Sequence, residues 1–219
     1  MLTQRLWDSI TGIYDAILAH PFIEGLTDGS LPRDTFRFYV VQDAHYLRDY
    51  ARALSVCAAR APTPDDVAMF NEHAAGAIAV ERALHAGFFS DFGMSEADVE
   101  ATPVAPTNRA YTSYLLASVH EGSFAQALGA VLPCYWIYAE VGRHLVASGS
   151  PDPLFRRWID TYGGDEFAAV VRAVLDLADR VGDDLSPGEE ARVRRRFVTT
   201  SRYEWMFWDA AWRDERWPV

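Results

Sequence analysis

The chain is poor in the features that mark secreted, membrane-spanning or nucleic-acid-binding proteins. Its 219 residues hold two cysteines, Cys57 and Cys134, far apart and in no Cys-x-x-Cys pair. That excludes a disulfide-stapled miniature fold and fits a reducing, cytoplasmic home. No stretch reaches the roughly 18–20 uninterrupted apolar residues of a membrane helix, and Leu2-Thr3-Gln4-Arg5-Leu6-Trp7-Asp8 carries no apolar signal core, so a soluble protein is expected. Positive charge is scarce: 20 Lys and Arg against 31 Asp and Glu give a net charge of −11, which argues against a nucleic-acid partner. Alternating β-branched runs, Gly-rich phosphate loops, internal repeats, low-complexity tracts and linkers are all missing.

Apolar mass is plentiful. Half the residues are hydrophobic, with seven Trp, ten Tyr and twelve Phe, enough for a core that needs neither disulfide nor metal, within one domain over residues 1–219. Nearly every segment repeats its apolar residues with a 3.6 period, so the chain is all-α. Thr63-Pro64 and Asp152-Pro153 offer a capping oxygen followed by proline at the first helical position, and Ser186-Pro187-Gly188-Glu189 adds a capping-box glutamate. Helices are predicted at 3–19, 32–60, 64–90, 107–121, 123–148, 153–161, 165–182 and 187–213, with loops at 20–31 and 103–106. Short connections imply antiparallel neighbours in a bundle. The one basic run, Arg192, Arg194, Arg195 and Arg196, reads as solvated helix surface, partly neutralised by Glu189 and Glu190.

Three reactive side chains interrupt stripes that should be apolar. Asp43 shares a face with Tyr39, Val40, Tyr46, Leu47, Tyr50 and Leu54. Its plainer role is an interior cap or a pair with Arg48 or Arg52. Cys134 lies on a face with Val131, Tyr135 and Tyr138, directly after Pro133, which frees the Gly129 carbonyl. Either a kink opens space there, or the helix restarts and its dipole favours thiolate; the plainer role is a small buried hydrophobe. Glu204 is the one ionisable member of the stripe Val193, Phe197, Thr200, Phe207, Trp208 and Ala211. Burial there should raise its pKa and suit it to donate a proton; an ion pair with Arg202 or Arg213 is the alternative. Tyr46, Tyr111, Tyr138 and Tyr162 offer stacking faces and hydroxyls for a flat heteroaromatic ligand, although tyrosines also fill ordinary cores.

The strings PCYWIYAEVG from Pro133, YEWMFWDAAW from Tyr203, VQDAHYL from Val41 and YTSYL from Tyr111 resemble the TenA/thiaminase II family over almost the whole chain. The resemblance implies a haem-oxygenase-like helical bundle, usually a homotetramer, that needs no cofactor or metal. It also implies hydrolysis of aminopyrimidines in thiamin salvage, or of thiamin itself, to hydroxymethylpyrimidine. By position, Cys134 matches the family nucleophile, Glu204 its acid/base partner and Asp43 the carboxylate that binds the pyrimidine amino group. Tyr46, Tyr111, Tyr138 and Tyr162 fall at family pocket positions, and Cys134 points to the cysteine-bearing branch. Ala44-His45 departs from relatives, which often carry Ser or Tyr and another aromatic there, so pocket width is expected to differ. Two rivals stand beside this reading. One is a di-iron oxygenase of the same architecture, built on the i, i+4 pairs Glu81/His85 and Glu140/His144; the other is a noncatalytic pyrimidine-binding regulator.

Overall fold

In the computed structural model, the backbone of residues 1–219 is described, together with all side chains except those of residues 80, 81 and 84–86. The backbone forms only helices: α1 (Leu2–Asp8), α2 (Thr11–Leu18), α3 (Pro21–Asp28), α4 (Arg33–Arg60), α5 (Pro64–Asp91), α6 (Glu96–Ala101), α7 (Pro106–His120), α8 (Phe124–Val146), α9 (Pro153–Gly163), α10 (Asp165–Gly182) and α11 (Pro187–Trp212). The starts predicted from capping signals hold, although Glu189 does not close the predicted box at Ser186: its carboxylate accepts from the Ser123 hydroxyl and the Gln126 amide instead. Thr63, Asp152 and Ser186 each accept a backbone N–H at a helix entry, with proline at the next residue. Such caps are worth about 1 kcal/mol each.

Two stretches differ from expectation. The helix predicted at 3–19 is broken at Ser9-Ile10, where the Ser9 hydroxyl turns back to the Leu6 carbonyl at 2.6 Å and buried Ile10 enters the core. Residues 20–31, predicted as a loop, hold α3. Pro21 sits at its first position, the His20 imidazole accepts from Phe22 N–H at 3.1 Å, and Gly29 stops it with φ of 79°. Proline and glycine there are helix start and stop, a pairing read as loop because histidine is an uncommon cap. A further short helix, α6, is set by a capping box between Ser95 and Asp98.

α4 packs chiefly against α5, while α8 packs chiefly against α11 and α9. One continuous core, including Phe36, Tyr39, Phe155, Trp158, Phe197 and Trp208, runs through these helices. Two glycines of α8 set the close approaches. A Cβ at Gly129 would come within 2.8 Å of the Val193 side chain on α11, and one at Gly142 would collide with the Tyr162 backbone on α9. α8 is thereby clasped on both sides of Cys134.

The basic run behaves as expected at Arg192, Arg194 and Arg195, which are exposed, Arg192 meeting Glu189 at 2.6 Å. Arg196 instead turns inward to the Ser118 hydroxyl at 2.7 Å, and Glu190 pairs with Arg5 of α1. No helix is long and apolar enough to cross a membrane among the described residues.

Candidate active site

A cavity of about 500 Å³ opens between α4, α5, α8, α9 and the start of α10. That is within the size range of small-molecule pockets, roughly 300–1,000 Å³. Asp43, Cys134, Tyr138 and Tyr162 line it, together with Tyr50 and His73. The structure therefore brings four of the seven residues predicted for the site onto one wall. The other three, Glu204, Tyr46 and Tyr111, are fully buried beside Cys134 without forming the wall.

α8 runs unbroken through Pro133, so the alternative in which a helix restarts at that residue does not occur, and Cys134 has no first-turn dipole to favour thiolate. The Tyr50 hydroxyl of α4 donates to the Val131 carbonyl at 2.9 Å, two residues before the proline. The thiol sits half-buried at the wall. Burial pushes its pKa well up, and the nearby Glu204 adds to the rise. The Tyr46 hydroxyl, buried and without a completed hydrogen bond, lies close enough to oppose that rise in part.

Glu204 is 1 % exposed and accepts a short hydrogen bond of 2.5 Å from the Tyr111 hydroxyl, not the ion pair with Arg202 or Arg213 held open above. Arg213 turns instead to Asp209 at 2.7 Å. Burial pushes the Glu204 carboxyl up to about 8; the Tyr111 hydrogen bond opposes this, and Asp43 reinforces it. At neutral pH the group is a carboxylic acid with a proton to give. Tyr111 is itself fixed by Tyr203, stacked at 5.1 Å with the planes 8° apart, and by Tyr46 at 5.0 Å.

Aromatic rings form much of the wall. Tyr138 meets Tyr162 at 4.9 Å, and its hydroxyl lies 3.1 Å from that of Tyr39. Tyr50 lies edge-on to Tyr135 at 5.7 Å, and the Tyr135 hydroxyl meets His73 Nδ1 at 3.1 Å. Sequence reasoning missed His73, a histidine on α5 with no motif around it. The signal available was its place opposite the Cys134-Tyr135 segment, which only the tertiary fold reveals.

Ala44 and His45 do not reach the cavity. Ala44 packs on Val41 and Val99, and the His45 ring is 3.0 Å from the Thr102 carbonyl, so this pair faces α6. Of the residues considered for iron, Glu81 and His85 lie outside the described side chains. Glu140 is held by Arg143 at 3.0 Å and His144 is exposed, and no three His, Cys, Asp or Glu converge as a metal site among the described residues.

Comparison with known proteins gives the following. The model of the TENA/THI-4/PQQC family matches residues 7–214. The aminopyrimidine aminohydrolase of Bacillus subtilis (strain 168) is 38% identical over 204 residues, 93% of this chain and 86% of that protein. Among solved structures, the TenA homologue from P. horikoshii OT3 superposes with a TM-score of 0.90 at 31% identity, covering 97% of this chain and 99% of that one. A Shewanella denitrificans domain with a heme oxygenase-like fold reaches 0.74 at 16% identity, over 97% of this chain and 92% of that one, a likeness of fold alone.

Proposed function

Because the chain belongs to the TENA/THI-4/PQQC family, we propose that it is an aminopyrimidine aminohydrolase of the cysteine-bearing branch. In this reading it converts 4-amino-5-aminomethyl-2-methylpyrimidine and water to hydroxymethylpyrimidine and ammonia, with thiamin as a second substrate. The observation that carries the reading is the meeting of Asp43 and Cys134 on one aromatic wall, with the protonated Glu204 buried beside the thiol.

The pyrimidine resists direct displacement at its exocyclic methylene, so the ring is activated first. Tyr138 and Tyr162, packed against each other, give the flat ring one aromatic side to lie on, and Asp43 accepts from its amino group, fixing orientation and favouring positive character on the ring. Because the resting thiol is protonated, nucleophile and acid work as a pair. Glu204 gives its proton to a ring nitrogen, and as the sulfur bonds to a ring carbon the thiol proton passes to the Glu204 carboxylate. Electrons of the dearomatised ring then expel neutral ammonia from the methylene, whose amine enters as ammonium. Water adds to the carbon left behind, the carbon–sulfur bond breaks, aromaticity returns, and the thiol regains a proton.

Tyr111 tunes Glu204, and Tyr46 supplies a hydroxyl near the sulfur. The same reading takes the chain as a cytoplasmic homotetramer, an assembly that light scattering would check. Offering purified protein the aminomethylpyrimidine and thiamin separately tests the substrate, with higher kcat/KM expected for the aminomethyl compound. Tight pyrimidine binding without any product would favour the noncatalytic regulator.

A further inference from the structure

The proposed chemistry needs a base twice, and the pair Cys134/Glu204 serves only the first half. When water attacks the exocyclic carbon its proton must leave, and Glu204, reprotonated by the thiol in the first half, has no free carboxylate to take it. Among the described residues the wall carries one imidazole, His73. It is half-buried on α5, with Nδ1 3.1 Å from the hydroxyl of Tyr135, the residue that follows Cys134 on α8. Tyr135 is itself buried and braced by Tyr50, whose hydroxyl is anchored to the Val131 carbonyl. Nothing in the first half of the reaction uses this pair.

We propose that His73 is the base of the second half: with Nδ1–H donating to the Tyr135 oxygen, Nε2 takes the proton from the water that attacks once ammonia has been expelled. The assignment rests on the aminohydrolase reading above. The protons balance. The substrate amine enters as ammonium and leaves as neutral ammonia; water then loses one proton as its oxygen bonds to the methylene carbon, His73 carries that proton as imidazolium, and it passes to the freed ammonia, leaving ammonium and a neutral His73. The titratable groups around the imidazole are Glu72 beside it, Asp43 and Tyr50 from α4, Cys134 and Tyr135 from α8, and Tyr162 from α9. Burial lowers the His73 pKa, with Glu72 opposing, so the ring is neutral and able to accept a proton at pH 7. Tyr135 fixes the tautomer and is a positioning residue.

The test follows ammonia and hydroxymethylpyrimidine separately by rapid quench, with the full chain and 4-amino-5-aminomethyl-2-methylpyrimidine. In His73→Gln, one equivalent of ammonia per site is expected in a burst, followed by hydroxymethylpyrimidine formation slowed about 100-fold. The pyrimidine should then be found by mass on Cys134, and imidazole added to His73→Ala should restore turnover. Tyr135→Phe should show the same burst with a smaller loss, and carries the test should the histidine variants not fold. Equal slowing of both products without burst or imidazole rescue would give His73 a purely structural role and overturn the proposal, as would wild-type turnover. If the wild-type protein releases no ammonia, the aminohydrolase reading itself fails and this inference falls with it.

Discussion

The two cysteines make a controlled comparison. Cys57, on α4, is completely buried in the core, and burial pushes its thiol up to about 12, with Arg60 as the only charge opposing the rise. Cys134, on α8, is also pushed well up, yet it faces a 500 Å³ cavity and has Glu204, Tyr46 and Tyr50 around it. Burial raises both thiols, so neither site favours a standing thiolate. In the mechanism proposed above, Cys134 draws instead on a neighbour able to exchange a proton at the moment the sulfur attacks, and on space for a ring to arrive. Cys57 has neither.

The largest effect should separate the two thiols. Cys134→Ala is expected to fold and to lose at least about 1,000-fold in hydrolysis, whereas Cys57→Ala should keep wild-type kcat/KM and lose only about 1 kcal/mol of stability. Equal activity in both variants would erase the distinction.

Next is the neighbour. Glu204→Gln keeps the shape but not the exchangeable proton, and should cost about 100-fold or more in kcat. In the wild type, activity should fall as pH rises through about 8, the value to which burial pushes this carboxyl, and that alkaline limb should be absent from the variant. The stability sign follows from the same shift. A carboxyl raised above its unfolded value contributes stability that is complete below the unfolded pKa and is lost as pH climbs towards 8. Wild-type stability should therefore decline relative to Glu204→Gln between about pH 4.5 and pH 8 in paired denaturation curves.

A smaller effect sharpens the cause. Tyr111 donates to Glu204 and opposes the rise, so Tyr111→Phe should move the alkaline limb upward and lower kcat modestly, by about tenfold. A downward shift would mean that the hydrogen bond stabilises the acid form instead. Smallest is Gly142→Ala on α8. Its Cβ would collide with the Tyr162 backbone, so a loss of about 1–3 kcal/mol is expected, together with a raised KM as Tyr162 is pushed from the wall.

The long helices are legible in the sequence by apolar period, and some add a cap, as Thr63-Pro64 and Ser186-Pro187 show; α4 and α10 have no side-chain cap and rest on period alone. α3 is not, because it spans only eight residues and its cap is a histidine, outside the usual capping residues. At the site, Asp43, Cys134 and Glu204 stood out as polar intrusions on apolar stripes, and the fold gathers them around one cavity. Which of them line the wall was hidden: Glu204, Tyr46 and Tyr111 lie in the layer beside it, and no periodicity distinguishes a wall from the residues next to it. His73 and Ala44-His45 show the same limit from opposite sides. The histidine was overlooked and lines the cavity, while the Ala-His pair drew notice and faces away.

The most direct measurement uses the Cys57→Ala protein, which retains one thiol. Blocking Cys134 with a small reversible reagent such as methyl methanethiosulfonate should abolish ammonia release from the aminomethylpyrimidine in proportion to the fraction modified. Hydroxymethylpyrimidine should protect against the block, and a reductant should restore turnover. Full turnover with Cys134 completely blocked would contradict the account.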